Sequence, residues 1–105
     1  MRVSRKLRDA GITTLEALCD CTGDELLAIL DRVEFLDLVI ELRSEGKALA
    51  PAPGARLRRV ASERDIAMLR LRLIDGLTFR EIAARFGVTA EVPRRALRSR
   101  FGTLL

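Results

Sequence analysis

The 105-residue chain has no histidine, no tryptophan and no tyrosine, and its aromatic side chains are four phenylalanines. Without imidazole it lacks the side chain most used for proton transfer near neutral pH and the commonest zinc ligand. It also carries no glycine-rich phosphate loop, no paired carboxylates in an apolar setting, and no nucleophile at a recognisable spacing from a base. No constellation of the kind an active site needs is present, so the expectation is a non-enzyme with no cofactor and no metal. The two cysteines, Cys19 and Cys21, form a lone C-x-C at an expected helix end. Residues two apart on a helix point in different directions, and the pair reads as two small, semi-buried thiols of a reducing compartment. No apolar run approaches the roughly 20 residues of a membrane span. The opening MRVSRKLRDAG lacks the apolar core of a signal peptide, and a cytoplasmic protein is expected. With 49% hydrophobic residues and 4% aromatics, packing must be aliphatic, which suits an all-α fold better than a β-sandwich.

What is present is arginine. Seventeen of the nineteen basic residues are arginine, and the formal net charge is +4. The charge is divided along the chain. Residues 10–47 hold three basic side chains against nine acidic ones, a net of −6, whereas from Ala55 onward twelve arginines face five acids, a net of +7. The first half should repel phosphate and the second should attract it, which makes nucleic acid the leading candidate partner.

The most structured part of the basic half is TFREIAARFGVTAEVPRRALRSRF, Thr78 to Phe101. Thr78 followed by Glu81 is a capping box, so a helix should begin at Phe79, bury Phe79, Ile82, Ala83 and Phe86, and stop at Gly87. Val88 can fill the space below the turn, and Thr89 can cap a second helix that runs to Phe101 and ends at Gly102. Two helices joined by about three residues including a glycine make a helix-turn-helix. On the second helix Pro93, Leu97 and Phe101 share one side, and Glu91, Arg94, Arg95 and Arg98 the other. Arginine suits a groove because its planar fork pairs two acceptors of a guanine edge or clamps a phosphate. The candidate DNA-binding residues are therefore Thr78, Arg80, Arg85, Thr89, Glu91, Arg94, Arg95 and Arg98, with double-stranded promoter DNA as the partner. Pro93 cannot offer an N–H to the turn before it, so the helix start is expected to shift until Pro93 lies in its first turn.

Upstream, Ser62 with Asp65 should cap a helix from Glu63 to about Asp75, with Ile66, Leu69, Leu73 and Ile74 inward and Arg64, Arg70 and Arg72 outward. The first half reads as capped short helices: a basic segment Val3 to Ala10, a Thr13/Glu16 box over Leu15 to Leu18, a Thr22/Glu25 box over Leu26 to Leu30, and an Asp31/Glu34 box opening a helix from Arg32 to about Glu45. That last helix is apolar on more than one face and must be buried on two sides or meet a partner. Between the halves, ALAPAPGARLRR has two prolines, one glycine and no helical period, and reads as a linker. The expected organisation is an acidic helical module in 1–47, a linker in 48–59 and a helix-turn-helix module in 60–105. Modules of that size are hard to stabilise alone, so the halves should lean on each other or on a partner.

Residues 61–101, with SERDIAMLRLRLIDGLT and REIAARFGVT as the strongest parts, resemble the fourth conserved region of bacterial sigma factors. They are also similar to LuxR-type activator DNA-binding domains. The resemblance implies a module that reads a promoter element with its second helix, and Pro93 stands where the family has a β-branched residue. Residues 7–46, in LRDAGITTLEAL and DELLAI, resemble the C-terminal domain of the RNA polymerase α subunit, a helix-hairpin-helix scaffold. Where that family has a glycine-containing loop that approaches phosphate, this chain has LDRVEFL, so the scaffold likeness does not bring DNA contact with it. Together the resemblances imply a transcription regulator or sigma-like factor of the nucleoid that touches DNA through its second half and an RNA polymerase subunit through its first. The alternative is an interaction module that binds polymerase or a sigma factor without reading DNA. The acidic half could equally fold back on the arginines of its own chain.

Overall fold

The structure, a computed structural model, describes residues 5–50, 60–102 and 105. Among them are seven short helices and no strand: α1 (Arg5–Asp9), α2 (Leu15–Cys19), α3 (Gly23–Leu27), α4 (Arg32–Ser44), α5 (Glu63–Leu73), α6 (Phe79–Phe86) and α7 (Glu91–Phe101). The expected all-α class is what forms. The linker residues 51–59 and the first residues of the basic segment, Val3 among them, lie outside the described part.

Four helices begin as their caps dictate. Thr22 with Glu25, Asp31 with Glu34, Ser62 with Asp65 and Thr78 with Glu81 all form reciprocal capping boxes, satisfying otherwise orphaned amides at both ends of each box. Two starts differ from expectation. α2 is capped by Thr14, whose hydroxyl accepts from the Ala17 N–H at 3.1 Å, so Glu16 falls at the second helical position and cannot return the bond. α7 has Ala90 at its cap position with no side-chain cap bond. The proline ring would clash with the carbonyl four residues back, which is that of Thr89, so Thr89 closes only a tight turn to the Val92 N–H at 3.0 Å. The first bond of α-type is Arg94 N–H to Ala90 O at 3.3 Å, and Pro93 sits in the first turn. α3 stops at Leu27, short of the expected Leu30, because Asp31 opens the next helix directly.

The two halves share one core. α4 supplies Phe35, Leu36, Leu38, Val39 and Leu42 to it, while its Val33 and Ile40 stay exposed. α5 lies beside α4 and runs the opposite way: Arg43, late in α4, reaches Glu63 at the start of α5 at 3.7 Å, and Arg32, at the start of α4, reaches the carbonyl of Leu73 at the end of α5 at 3.5 Å. On α5, Met68, Leu69 and Leu73 are buried, and Ile66 is half-buried. Ile74 is exposed, because α5 ends at Leu73 and the chain turns away. Phe101 closes the assembly from α7, its ring edge-on to Phe35 with centroids 6.4 Å apart. An aromatic pair in this geometry adds about 0.5–1.5 kcal/mol beyond its burial. The start of the expected linker is also held, since Leu49 is buried and the Ala50 N–H donates to Cys21 O at 3.0 Å.

Candidate nucleic-acid interface

α6 and α7 pack against each other and against α5. Phe79, Ile82 and Ala83 of α6 are buried and Phe86 half-buried, the spacing read from the sequence. Gly87 takes φ +67°, a left-handed conformation that lets the Val88 N–H double back to Ala83 O at 3.1 Å and turns the chain between the helices. On α7, Pro93, Leu97 and Phe101 are buried, and these three positions fix the rotation of the helix. Glu91, Arg94, Arg95 and Arg98 are consequently on the solvent side.

That face has internal structure. The Glu91 carboxylate lies 3.4 Å from Arg94 and 3.9 Å from Arg95, so it gathers the two guanidinium groups at the amino end of α7. Both pairs are open to solvent and contribute a few tenths of a kcal/mol at most. The Arg95 side chain remains 78% exposed and is available to an acceptor. Arg98 leans the other way, its guanidinium 5.2 Å from the centroid of the Phe79 ring, which aims it past the first turn of α6. Arg80 and Arg85 are exposed on α6, flanking this face in sequence, and Thr89 is exposed in the turn. Thr78 is committed locally: its hydroxyl oxygen accepts from the Glu81 N–H, and Glu81 accepts from the Thr78 N–H, each at 3.1 Å. The Thr78 N–H first, and the Thr78 side chain next, hold the Glu81 carboxyl below its ordinary range, with Arg85 adding in the same direction.

Three residues that support this face were read differently or not singled out from the sequence. Arg72, expected outside, is half-buried: it donates to Leu77 O at 2.9 Å and Leu105 O at 3.0 Å, and its guanidinium lies 4.4 Å from the Phe79 centroid. Asp65 is buried and faces Arg100 at 3.4 Å, while Arg100 also donates to Val60 O at 3.1 Å. The signal was available: Asp65, Leu69 and Arg72 fall at i, i+4 and i+7, so two polar residues share the helical face of a core leucine.

Among the described residues Arg94 and Arg95 pair with Glu91 of their own helix. Lys6 takes Glu34 at 2.6 Å. Cys19 is buried and Cys21 half-buried, both as reduced thiols, and burial is the main cause that pushes the Cys21 thiol up from its ordinary range. Among the described residues no three of His, Cys, Asp and Glu are placed to hold a metal ion, and no helix is long and apolar enough to cross a membrane. Comparison with protein-family models, curated proteins and solved structures finds no match to this chain.

Proposed function

We propose that this chain is a DNA-binding transcription regulator or sigma-like factor that reads promoter DNA with α7 and contacts an RNA polymerase subunit through its acidic first half. The observation that carries the reading is the division of α7: Pro93, Leu97 and Phe101 are locked into the core, and Arg94, Arg95 and Arg98 are held outward on a helix that follows a glycine turn. A helix presented this way fits a major groove, with Arg94 and Arg98 suited to base edges and Arg80 and Arg85 to phosphates. Glu91 has two uses in such a complex, orienting Arg94 and Arg95 or accepting from a cytosine amino group. The net of −6 over residues 10–47 keeps the first half off the phosphates and suits a basic protein surface.

The test is a salt titration of the full chain against duplex DNA, read by anisotropy. Neutralising a handful of phosphates predicts a log–log slope of about −3 to −5. A flat dependence, or no binding at low salt, removes the DNA reading. It would leave the second one, a protein-interaction module for polymerase or a sigma factor, which the partial neutralisation of Arg94 and Arg95 by Glu91 favours.

A further inference from the structure

The arginine helix is held at its far end by the opposite half of the chain, and the contact is unusually close. Gly23 is the first residue of α3, Phe101 the last of α7, and a Cβ placed on Gly23 would stand 1.3 Å from the Phe101 carbonyl oxygen and 2.2 Å from its carbon. No side chain fits there, because the obstacle is backbone. The approach is reciprocal: a Cβ on Gly102 would stand 2.4 Å from the Asp24 carboxylate oxygen and 2.8 Å from the Asp24 amide nitrogen. The amino end of α3 thus abuts the carboxyl end of α7, an orientation in which the two helix dipoles attract. From the other side, Arg100 reaches Asp65 and the Val60 carbonyl, and the Phe101 ring sits against Phe35.

We propose that Gly23 and Asp24 are positioning residues for the arginine face: the first half sets the angle at which Arg94, Arg95 and Arg98 leave the surface, although it supplies none of them. The inference rests on the DNA reading and adds to it, since it makes DNA discrimination depend on two residues that touch no DNA. Local contacts do not settle the angle by themselves. α6 fixes the amino end of α7 through Ala83 and the Gly87 turn, but a helix of eleven residues pivots about that end unless its other end is also tied. Arg100 on Asp65 and Phe101 on Phe35 tie that end to α5 and α4, and α3 sets how far it can approach, since the backbone at Gly23 and Asp24 lies directly against Phe101 and Gly102; moving α3 redirects the outer face of α7.

The experiment uses the full chain and two variants, Gly23→Ala and Asp24→Ala, at a temperature where far-UV circular dichroism shows native helix content. Two quantities are read: amide chemical shifts of residues 91–98 without DNA, and the ratio of affinity for a selected duplex to that for random duplex. In both variants the shifts of 91–98 are expected to move. The affinity ratio should fall about tenfold, the scale of one lost base-edge pair, with the random-duplex affinity and its salt slope unchanged. A role in stability alone would lower the melting temperature and leave the ratio of the folded protein as it was, which overturns the proposal. Unmoved shifts at 91–98 overturn it as well. If Gly23→Ala does not fold, Asp24→Ala decides, because it removes atoms and adds no clash. A wild-type chain that binds no duplex removes the DNA reading instead, and the shifts at 91–98 then decide whether α3 positions α7.

Discussion

At the scale of single residues, the arginines of α7 divide by what they lean on. Arg94 and Arg98 are expected to face base edges, so Arg94→Ala or Arg98→Ala should cost about 1–3 kcal/mol on the preferred duplex and far less on random DNA. Arg80→Ala or Arg85→Ala should weaken all sequences alike and reduce the salt slope by about 1. Parallel titrations of the four variants on two duplexes check both statements. Equal losses on both duplexes for Arg98→Ala would assign it to a phosphate. Pro93 is the second case. Because it occupies the first turn of a helix that starts at Ala90, it interrupts no bond of that helix, and Pro93→Val should leave stability within about 1 kcal/mol in thermal melts. The buried ring is matched in volume by valine, and the conformational freedom valine restores to the unfolded chain accounts for the small expected loss. A gain approaching 3 kcal/mol, the scale of an interior proline, would mean that the helix starts before Ala90.

At the scale of elements, the helices are made by their caps and kept by their buried faces. Two of the four capping boxes carry a carboxyl held below its ordinary range: Asp31, chiefly by hydrogen bonds from the Glu34 backbone, and Glu81, chiefly by those from Thr78. A depressed pKa in the folded state means stabilisation that is complete above the unfolded values of 3.8 and 4.5 and is lost as pH falls through the lower, folded ones. Helix content should therefore hold from neutrality down to about pH 5 and decline below it, with Glu81→Gln shifting the decline at α6. A melting temperature flat from pH 7 to 3 would contradict this. These boxes are also what made the fold legible. Each couples an acid to a hydroxyl or carboxylate three residues before it, a local rule that needs no tertiary knowledge, and four of the five expected boxes formed. The failures are as local in cause. Thr14 displaced Thr13 because either threonine can cap, and a capping rule does not choose between neighbours. Thr89 lost α7 to Ala90 because proline at position 93 forbids the bond that a Thr89 start implies. Ile74 and Arg72 exchanged their expected environments because the periodicity of α5 was extended past the residue where the helix ends, and because the spacing that puts Arg72 on the face of Leu69 does not show the Leu77 and Leu105 carbonyls that let it turn half inward.

At the scale of the whole molecule, the close approach of the halves was not legible in their separate patterns. Gly23 reads as a weak helix starter after a threonine cap, and nothing in its neighbourhood announces the Phe101 carbonyl that occupies the place of its missing Cβ. Phe101 reads as the last apolar position of α7, yet it faces Phe35 across 66 residues of chain. Charge division did show in the sequence, and the halves join through apolar side chains, Phe35, Leu42, Leu69, Leu97 and Phe101, while the acid beside Arg94 and Arg95 is Glu91 of α7 itself. Residues 60–105 alone would expose the part of that core which α4 covers, and a unit of their size buries too little surface to tolerate it. Phe101→Ala in the full chain should accordingly destabilise by about 3–5 kcal/mol, the cost of emptying a core aromatic site, and should do so in one urea transition followed by circular dichroism. Removing residues 1–50 should go further and leave a chain without cooperative melting, so that its loss of DNA discrimination reflects unfolding. If that fragment instead melts cooperatively and discriminates duplexes as the full chain does, the first half is an appendage to a self-sufficient helix-turn-helix, and the shared core has no part in presenting α7.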